Sequence, residues 1–454
     1  MYSLLRRPRP QRIAAGSGLV ETPNLGQVRF ARQPKGGAPV PQKLASSFKK
    51  KGGDQGAVFI KKDKKLGAFK PLSVNQFEKI ELLKDETRAE LQLPLFKPEV
   101  LTKELSLGKV LEFPAPENDP MRKFGLPKNL LLEYRILSKP CAAVRDVTLN
   151  AVAKLDQASQ SSSAQNRVVL TGATGSGKSV ALLQAVEYCM SNDWIVLYIP
   201  RAATIVNSST PHTYDARTRT YLQPKYSFQL LQRFLSVNES KLQNLKTSRE
   251  HVLERSTLPA GSPIIDLLSV GLNDQASAPS VLSTLLSELA SQESHPVLLA
   301  IDEIQALYCR TTMYRNPRFE AIKPYHLSLP RLLLEYTSGK RSFKRGAVFG
   351  ALSGSTHVFR LTVELGNELA KVSEKTTDPY VRQVPELVEY AKGLQNLPVP
   401  QLSLNEAASI FEIWAKDRAL YSSANDELFM AKYTEAQGNA RDFVWKGLLS
   451  TLSI

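Results

Sequence analysis

The chain has 454 residues, 42% of them hydrophobic and 22% charged, with a formal net charge of +16. That length exceeds what one small core needs, and the composition is that of a globular protein rather than a fibrous or low-complexity one. No apolar run reaches the roughly 18 residues that would cross a membrane, and Cys141, Cys189 and Cys309 stand far apart without a C-x-x-C pair, which argues against a zinc site or a disulfide scaffold.

The charge is unevenly placed. Residues 1–70 carry 16 Lys and Arg against 3 Asp and Glu, a balance of +13, whereas the remainder carries 43 against 40, or +3. Basic arms of this kind contact polyanions, most often nucleic acid. Residues 1–20 hold Arg6, Arg7, Arg9 and Arg12 and no acid, the composition of a mitochondrial targeting segment. Pro8 and Pro10 interrupt any amphipathic helix there, and a basic tail without an address has the same composition. Residues 21–115 read as a basic, disordered, extended arm followed by a Pro-rich connector. The arm includes Lys49-Lys50-Lys51, and its few large apolar residues bury too little surface to offset chain entropy. A short helical pattern shows at Phe77, Ile80 and Leu83, and Pro94, Pro98, Pro114, Pro116 and Pro120 punctuate the connector after it. The globular part is expected from about residue 116.

From there strands and helices alternate. Short apolar runs at Arg167–Thr171, Trp194–Ile199, Val297–Ile301 and Ala347–Leu352 read as parallel strands covered on both faces. Helical patterns lie between them, as at Phe228, Leu231, Phe234 and Leu235 and at Leu282, Leu285, Leu286 and Leu289. The fold class is therefore α/β, a doubly wound parallel sheet over 116–370. Beyond 370 the strand signal fades and 371–454 reads as a C-terminal helical lid subdomain. There Ser403-Leu-Asn-Glu406 forms a capping box, Glu427–Ala436 a second helix, and a third helix follows Gly438.

Between the first strand and its helix stands Gly172-Ala173-Thr174-Gly175-Ser176-Gly177-Lys178-Ser179, which fits the P-loop pattern G-x-x-x-x-G-K-[ST] at every fixed position. Each residue type has a task. The glycines allow a tight turn whose N–H groups face phosphate oxygens, and the following helix adds its N-terminal dipole. Lys178 is placed to reach the β- and γ-phosphates, and the Ser179 hydroxyl to ligate magnesium. The run Val297-Leu-Leu-Ala-Ile301 ends in Asp302 and Glu303. Alone that is also a common solvated turn; after such a loop it reads as a magnesium-holding Asp302 and a water-orienting Glu303. Ser353, Ser355 or Thr356, after the fourth strand, offer a hydroxyl to the γ-phosphate, although an N-cap or polar turn accounts for them equally well. Arg441 reads either as a phosphate contact from the lid or as a surface arginine. Arg310, Arg315 and Arg318 are candidates for an arginine finger by position alone. With no Asn-Lys-x-Asp motif, the base is left open between guanine and adenine, so the cofactor set is GTP/GDP or ATP with magnesium.

Further motifs carry a family resemblance. They run in the order Phe124-Gly-Leu-Pro127, Leu137-Ser-Lys-Pro-Cys141, GATGSGKS, Tyr198-Ile-Pro200, Tyr221-Leu-Gln-Pro224, Ile265-Asp-Leu-Leu268 with Gly271, and LLAIDEIQALY with Arg310-Thr-Thr312. The set resembles the death-associated-protein-three family of the mitochondrial small ribosomal subunit, over residues 115–454. The resemblance implies an AAA+/STAND-like P-loop fold and a mitochondrial matrix location on the ribosome. It also implies ribosomal RNA and other small-subunit proteins as partners, with no DNA, and a purine nucleotide held at Gly172–Ser179 and Asp302. Glu303 departs from the pattern of animal members, which lack an acid after the aspartate; it points to a fungal-type lineage and leaves hydrolysis open. Two functions are compatible with these readings: a structural ribosomal protein with a bound nucleotide, or an active signalling-type ATPase or GTPase that switches a partner through its lid.

Overall fold

In the computed structural model, which describes residues 91–253, 257–354, 357–370, 382–420 and 422–451, each of the four apolar runs becomes a strand. In chain order the strands are β1 (Val110–Glu112), β2 (Cys141–Ala143), β3 (Arg167–Thr171), β4 (Ile195–Ile199), β5 (Thr213–Asp215), β6 (Thr220–Leu222), β7 (His251–Val252), β8 (Thr257–Leu258), β9 (Val297–Asp302), β10 (Gly346–Ala351) and β11 (Gln395–Pro398). Five of them form one parallel sheet in the order β11-β3-β10-β9-β4. The rest pair as antiparallel ribbons, β1 with β2, β5 with β6 and β7 with β8. Every residue of β4, β9 and β10 is buried, so these strands show continuous apolar runs rather than alternation. The targeting segment, the basic arm and the helical pattern at Phe77, Ile80 and Leu83 lie outside the described residues.

Two points differ from the expectation. The folded core takes in residues before 116: Phe96, Leu101, Leu111 and Phe113 are buried in the main cluster. Their apolar stretches are only a few residues long between prolines, too short to show a period. The sheet also gains β11, within the stretch expected to be helical. Its sequence Gln-Asn-Leu-Pro is polar, ends in proline and sits at the sheet edge, where strand signals are weakest.

The helices Lys178–Ser191 and Asp146–Ala158 lie side by side, the first against β4, β9 and β10. Helices Pro224–Leu242, Ile264–Asn273 and Ala278–Ser291 pack on one another. The β1–β2 ribbon shows how the period of two serves two cores at once. Leu111 and Ala142 join the main core, while Val110, Cys141 and Ala143 face a second core with Leu402, Trp414 and Phe443 from the C-terminal helices. Helix Leu404–Lys416 opens on the Ser403–Glu406 capping box, with both reciprocal bonds formed. No helix among the described residues is long and apolar enough to cross a membrane.

Gly271 sets the spacing of the three-helix group. A Cβ there would stand 2.9 Å from both Leu231 Cδ1 and Val281 Cγ1. Gly271→Val is expected to destabilise the fold by about 1–3 kcal/mol through overpacking, read as a lower urea midpoint with unchanged m-value.

Candidate functional site

The segment between β3 and its helix has a backbone only glycine adopts readily. Gly172, Gly175 and Gly177 have φ of 140°, 85° and 97°. Two of them are also hemmed in. A Cβ on Gly172 would meet the Val399 carbonyl oxygen at 2.4 Å, and one on Gly175 would meet Asn439 Oδ1 at 2.2 Å. The loop ends at Lys178, the first residue of helix Lys178–Ser191.

Lys178 is buried at 6% exposure, and its ammonium donates to the carbonyls of Gly172 (2.9 Å) and Ala173 (2.6 Å). Burial holds its pKa below the usual lysine range, and Arg441 pushes the same way while Asp302 opposes. Ser179, the next residue, donates to the Asp302 carboxylate. Asp302 ends β9 at 2% exposure, and burial pushes its carboxyl up to about 7. The Glu303 N–H donates to Asp302 Oδ1 at 2.8 Å.

Glu303 is held in the left-handed region (φ 58°, ψ 37°), a strained position for a long side chain. Its carboxylate lies 3.9 Å from Arg201 Nε, and its Oε2 is buried with no hydrogen-bond partner among the described residues. Burial raises its pKa as well. Across the site, Gln305 clamps Ser353 through both halves of its amide, donating to the Ser353 carbonyl at 2.7 Å and accepting from the Ser353 N–H at 3.1 Å. Ser355 and Thr356 lie outside the described residues.

The C-terminal segment rests directly on the loop. Asn439 caps the last helical stretch by accepting from the N–H groups of Arg441 (3.1 Å) and Asp442 (3.2 Å). Its amide donates to the Thr174 carbonyl at 2.7 Å, and the Arg441 N–H donates to the Gly175 carbonyl at 3.0 Å. From the other side Arg145, 7% exposed, donates to Ser176 O (2.8 Å), Pro400 O (2.8 Å) and Gln401 O (2.9 Å), and pairs with Glu406 at 3.1 Å.

These groups meet at one cavity of about 450 Å³, within the usual range for small-molecule sites. Of the predicted residues, Gly175, Gly177, Lys178, Ser179, Asp302, Glu303, Ser353 and Arg441 line it. Gly172, Ala173, Thr174 and Ser176 build the loop behind them; the Ser176 hydroxyl is buried without a partner among the described residues. Arg310, Arg315 and Arg318 are not brought to the cavity wall. Arg310 instead donates to the Arg382 carbonyl at 2.8 Å and lies 3.6 Å from Glu364.

Sequence reasoning missed Arg145, Arg201 and Glu133. Nothing local marks Arg145; the one available signal was the capping-box Glu406, a buried carboxylate in need of a cation. Glu133 stands in the apolar part of the wall with Tyr134, Leu137 and Trp414. It accepts from Trp445 Nε1 at 2.6 Å, and burial pushes it up to about 7. Trp445 sits in a π-helical stretch, Phe443–Leu448, a local widening often found at functional sites.

Comparisons with known proteins give the chain's family. A family model described as mitochondrial ribosomal death-associated protein 3 matches residues 142–445, a span that includes every predicted site residue. The chain belongs to that family. It is similar to the small ribosomal subunit protein mS29 of Neurospora crassa, 28% identical over 353 residues covering 75% of this chain and 74% of that protein. The protein of the same name from Schizosaccharomyces pombe is 25% identical over 365 residues, covering 79% and 75%. That of Mus musculus is 27% identical over 268 residues, covering 58% and 68%.

Two buried acids with raised pKa make stability fall with pH. Asp302 and Glu133 bind protons in the folded state up to about 7 but release them near 4 when unfolded, so the unfolded state holds fewer protons between those values. Stability without nucleotide or divalent metal is expected to decline as pH rises from about 4 to 7. The double variant Asp302→Asn, Glu133→Gln should flatten that decline, as measured by melting temperature against pH.

Proposed function

We propose that this chain is a structural protein of the mitochondrial small ribosomal subunit that holds a purine nucleotide with magnesium in an AAA+/STAND-like P-loop site. Its family and its mS29 relatives support the ribosomal and mitochondrial part, and with it ribosomal RNA and other small-subunit proteins as partners. The observation that carries the nucleotide part is one convergence. A glycine-built loop, a buried lysine and a Ser179 bonded to the buried Asp302 meet at the carboxyl edge of a parallel sheet, where ligands of such sheets bind.

The residues suit the group chemically. Lys178 makes no ion pair with a carboxylate among the described residues, and Arg441 lines the same wall. Three glycines leave loop N–H groups free of Cβ cover, and the buried Ser176 hydroxyl has an unfilled bond. Gly172 to Ser179 would hold phosphates, and Ser353 and Arg441, which line the same cavity, would offer contacts to a γ-phosphate. Ser179 and Asp302 supply the hard oxygen donors that magnesium prefers, and the ion would keep Asp302 ionised despite its burial. The apolar wall with Trp414 and Trp445 suits base and ribose. When bound, the nucleotide would bridge the sheet edge and the C-terminal helices, adding about 4 kcal/mol to stability at a thousandfold excess over its dissociation constant.

Full-length purified protein should melt higher with GDP, GTP or ATP plus magnesium, the Lys178→Ala variant should lose that shift, and tagged wild type should sediment with the small subunit. Absence of any shift would remove the nucleotide part, and migration only as free protein the ribosomal part.

A second reading, an active ATPase or GTPase of the signalling class, is favoured by Glu303. Its buried Oε2 has no partner among the described residues, and its cavity position suits a base that orients water. Phosphate release by wild type should then exceed that of Glu303→Gln by at least the roughly 100-fold typical of a general base; equal slow rates would leave only the structural role.

A further inference from the structure

Two short hairpins rise from the segments that leave β4 and β9, and neither belongs to the nucleotide site. The first is the β5–β6 ribbon, whose turn carries Arg217 and Arg219. The second spans Arg315 to Ala321, which bridge each other, and its turn carries Arg318 and Phe319. His212 joins them: its ring nitrogen bonds the Arg315 carbonyl at 3.0 Å, and its ring stacks edge-on against Tyr314 with centroids 5.0 Å apart. A private small core of Tyr314, Ile322 and Leu327, with Tyr221 packed against it, anchors the pair. Each of the four arginines lies within four residues of this joint, or within roughly 14 Å at strand rise.

All four arginines are exposed, and none forms an ion pair with a carboxylate within 4 Å among the described residues. The two acids of the hairpins are already engaged. Asp215 accepts from the Arg217 N–H at 3.0 Å and the Thr218 hydroxyl at 2.8 Å, and Glu320 accepts from the Asn316 amide at 2.8 Å. Phe319 is 85% exposed and in the left-handed region (φ 61°), while Tyr214 is 58% exposed. The Phe319 tip is built rather than frayed: Asn316 Oδ1 accepts from the N–H groups of Arg318 and Glu320, each at 2.9 Å, and the Asn316 carbonyl accepts from Phe319 N at 2.9 Å. A strained backbone that displays an aromatic ring to water gains nothing within the fold.

We infer that this double hairpin is a second RNA-binding surface, taking single-stranded or looped RNA. Planar guanidinium forks suit phosphate oxygens, and exposed rings such as Phe319, and Tyr214 packed on Tyr221 with centroids 5.1 Å apart, suit unstacked bases. Four exposed arginines without a carboxylate partner among the described residues favour a polyanion over a protein face. None of the hairpin residues lines the nucleotide cavity.

The test uses full-length protein and fluorescein-labelled oligouridine, titrated at several salt concentrations. A variant with Arg217, Arg219, Arg315 and Arg318 all changed to Gln should bind at least tenfold more weakly at low salt. Its slope of log affinity against log salt should be smaller by about 2–3, at roughly 0.7 for each phosphate no longer neutralised. The corresponding four-Lys variant should keep most of that slope, and Phe319→Ala should weaken binding about tenfold through lost stacking. Ultraviolet cross-links should fall in residues 212–222 and 310–323. A Gln variant with wild-type affinity and slope, or cross-links confined to residues 1–70, would overturn the inference. An unchanged melting temperature of the Gln variant without added nucleotide shows that it folds, whatever the outcome of the nucleotide test.

Discussion

Arg145 is the interaction on which the arrangement turns. Its guanidinium is nearly removed from water, and it binds three segments at once: the loop carbonyl of Ser176, the connector carbonyls of Pro400 and Gln401, and the capping carboxylate of Glu406. A cation with one partner in such a place would be costly. One that meets a carboxylate and three carbonyls is stabilising, because nearly all its donors are satisfied in a low-dielectric setting where each bond is strong. Its loss would leave a buried carboxylate and several carbonyls bare together, a penalty of about 3–5 kcal/mol. Arg145 precedes the helix Asp146–Ala158, so that helix, the glycine loop and the C-terminal helices are positioned from a single point.

From that point the site is a matter of packing. The glycine loop is squeezed between Val399 on one side and Asn439 on the other, at distances that admit no side chain. Its carbonyls are consumed by Lys178, Arg145, Asn439 and the Arg441 N–H, so its conformation is fixed by long-range hydrogen bonds as much as by its own sequence. Opposite, Asp302 ends β9 in register with Ala351, the last residue of β10, and Ser353 follows two residues on. The family model spans all of these residues.

Much of this was legible in the sequence, and the pattern of successes has a cause. Strands β3, β4, β9 and β10 were readable within a residue or so because strands buried on both faces must be apolar throughout. The Ser403–Glu406 box was readable because capping is local, as was the glycine loop with its lysine. What escaped was long-range. β11 is an edge strand whose pairing, not its composition, makes it a strand. Arg145 finds Glu406 across most of the folded part of the chain, and Trp445 finds Glu133 likewise, so no window of sequence contains either contact. Residues 91–115 carry their apolar side chains in fragments too brief for periodicity, yet Phe96, Leu111 and Phe113 are among the most deeply buried.

The contacts of Asn439 and Arg441 with the loop bear on how the molecule comes into being. Thr174 and Gly175 are made first, and the groups that cover their carbonyls follow some 265 residues later. A nascent chain can lay down its sheet and helices and still lack the clasp that sets the loop. Any product stopped short of Asn439 would be left with an unfinished grip. The cavity wall on this side is therefore finished only by residues far along the chain from the loop that it covers.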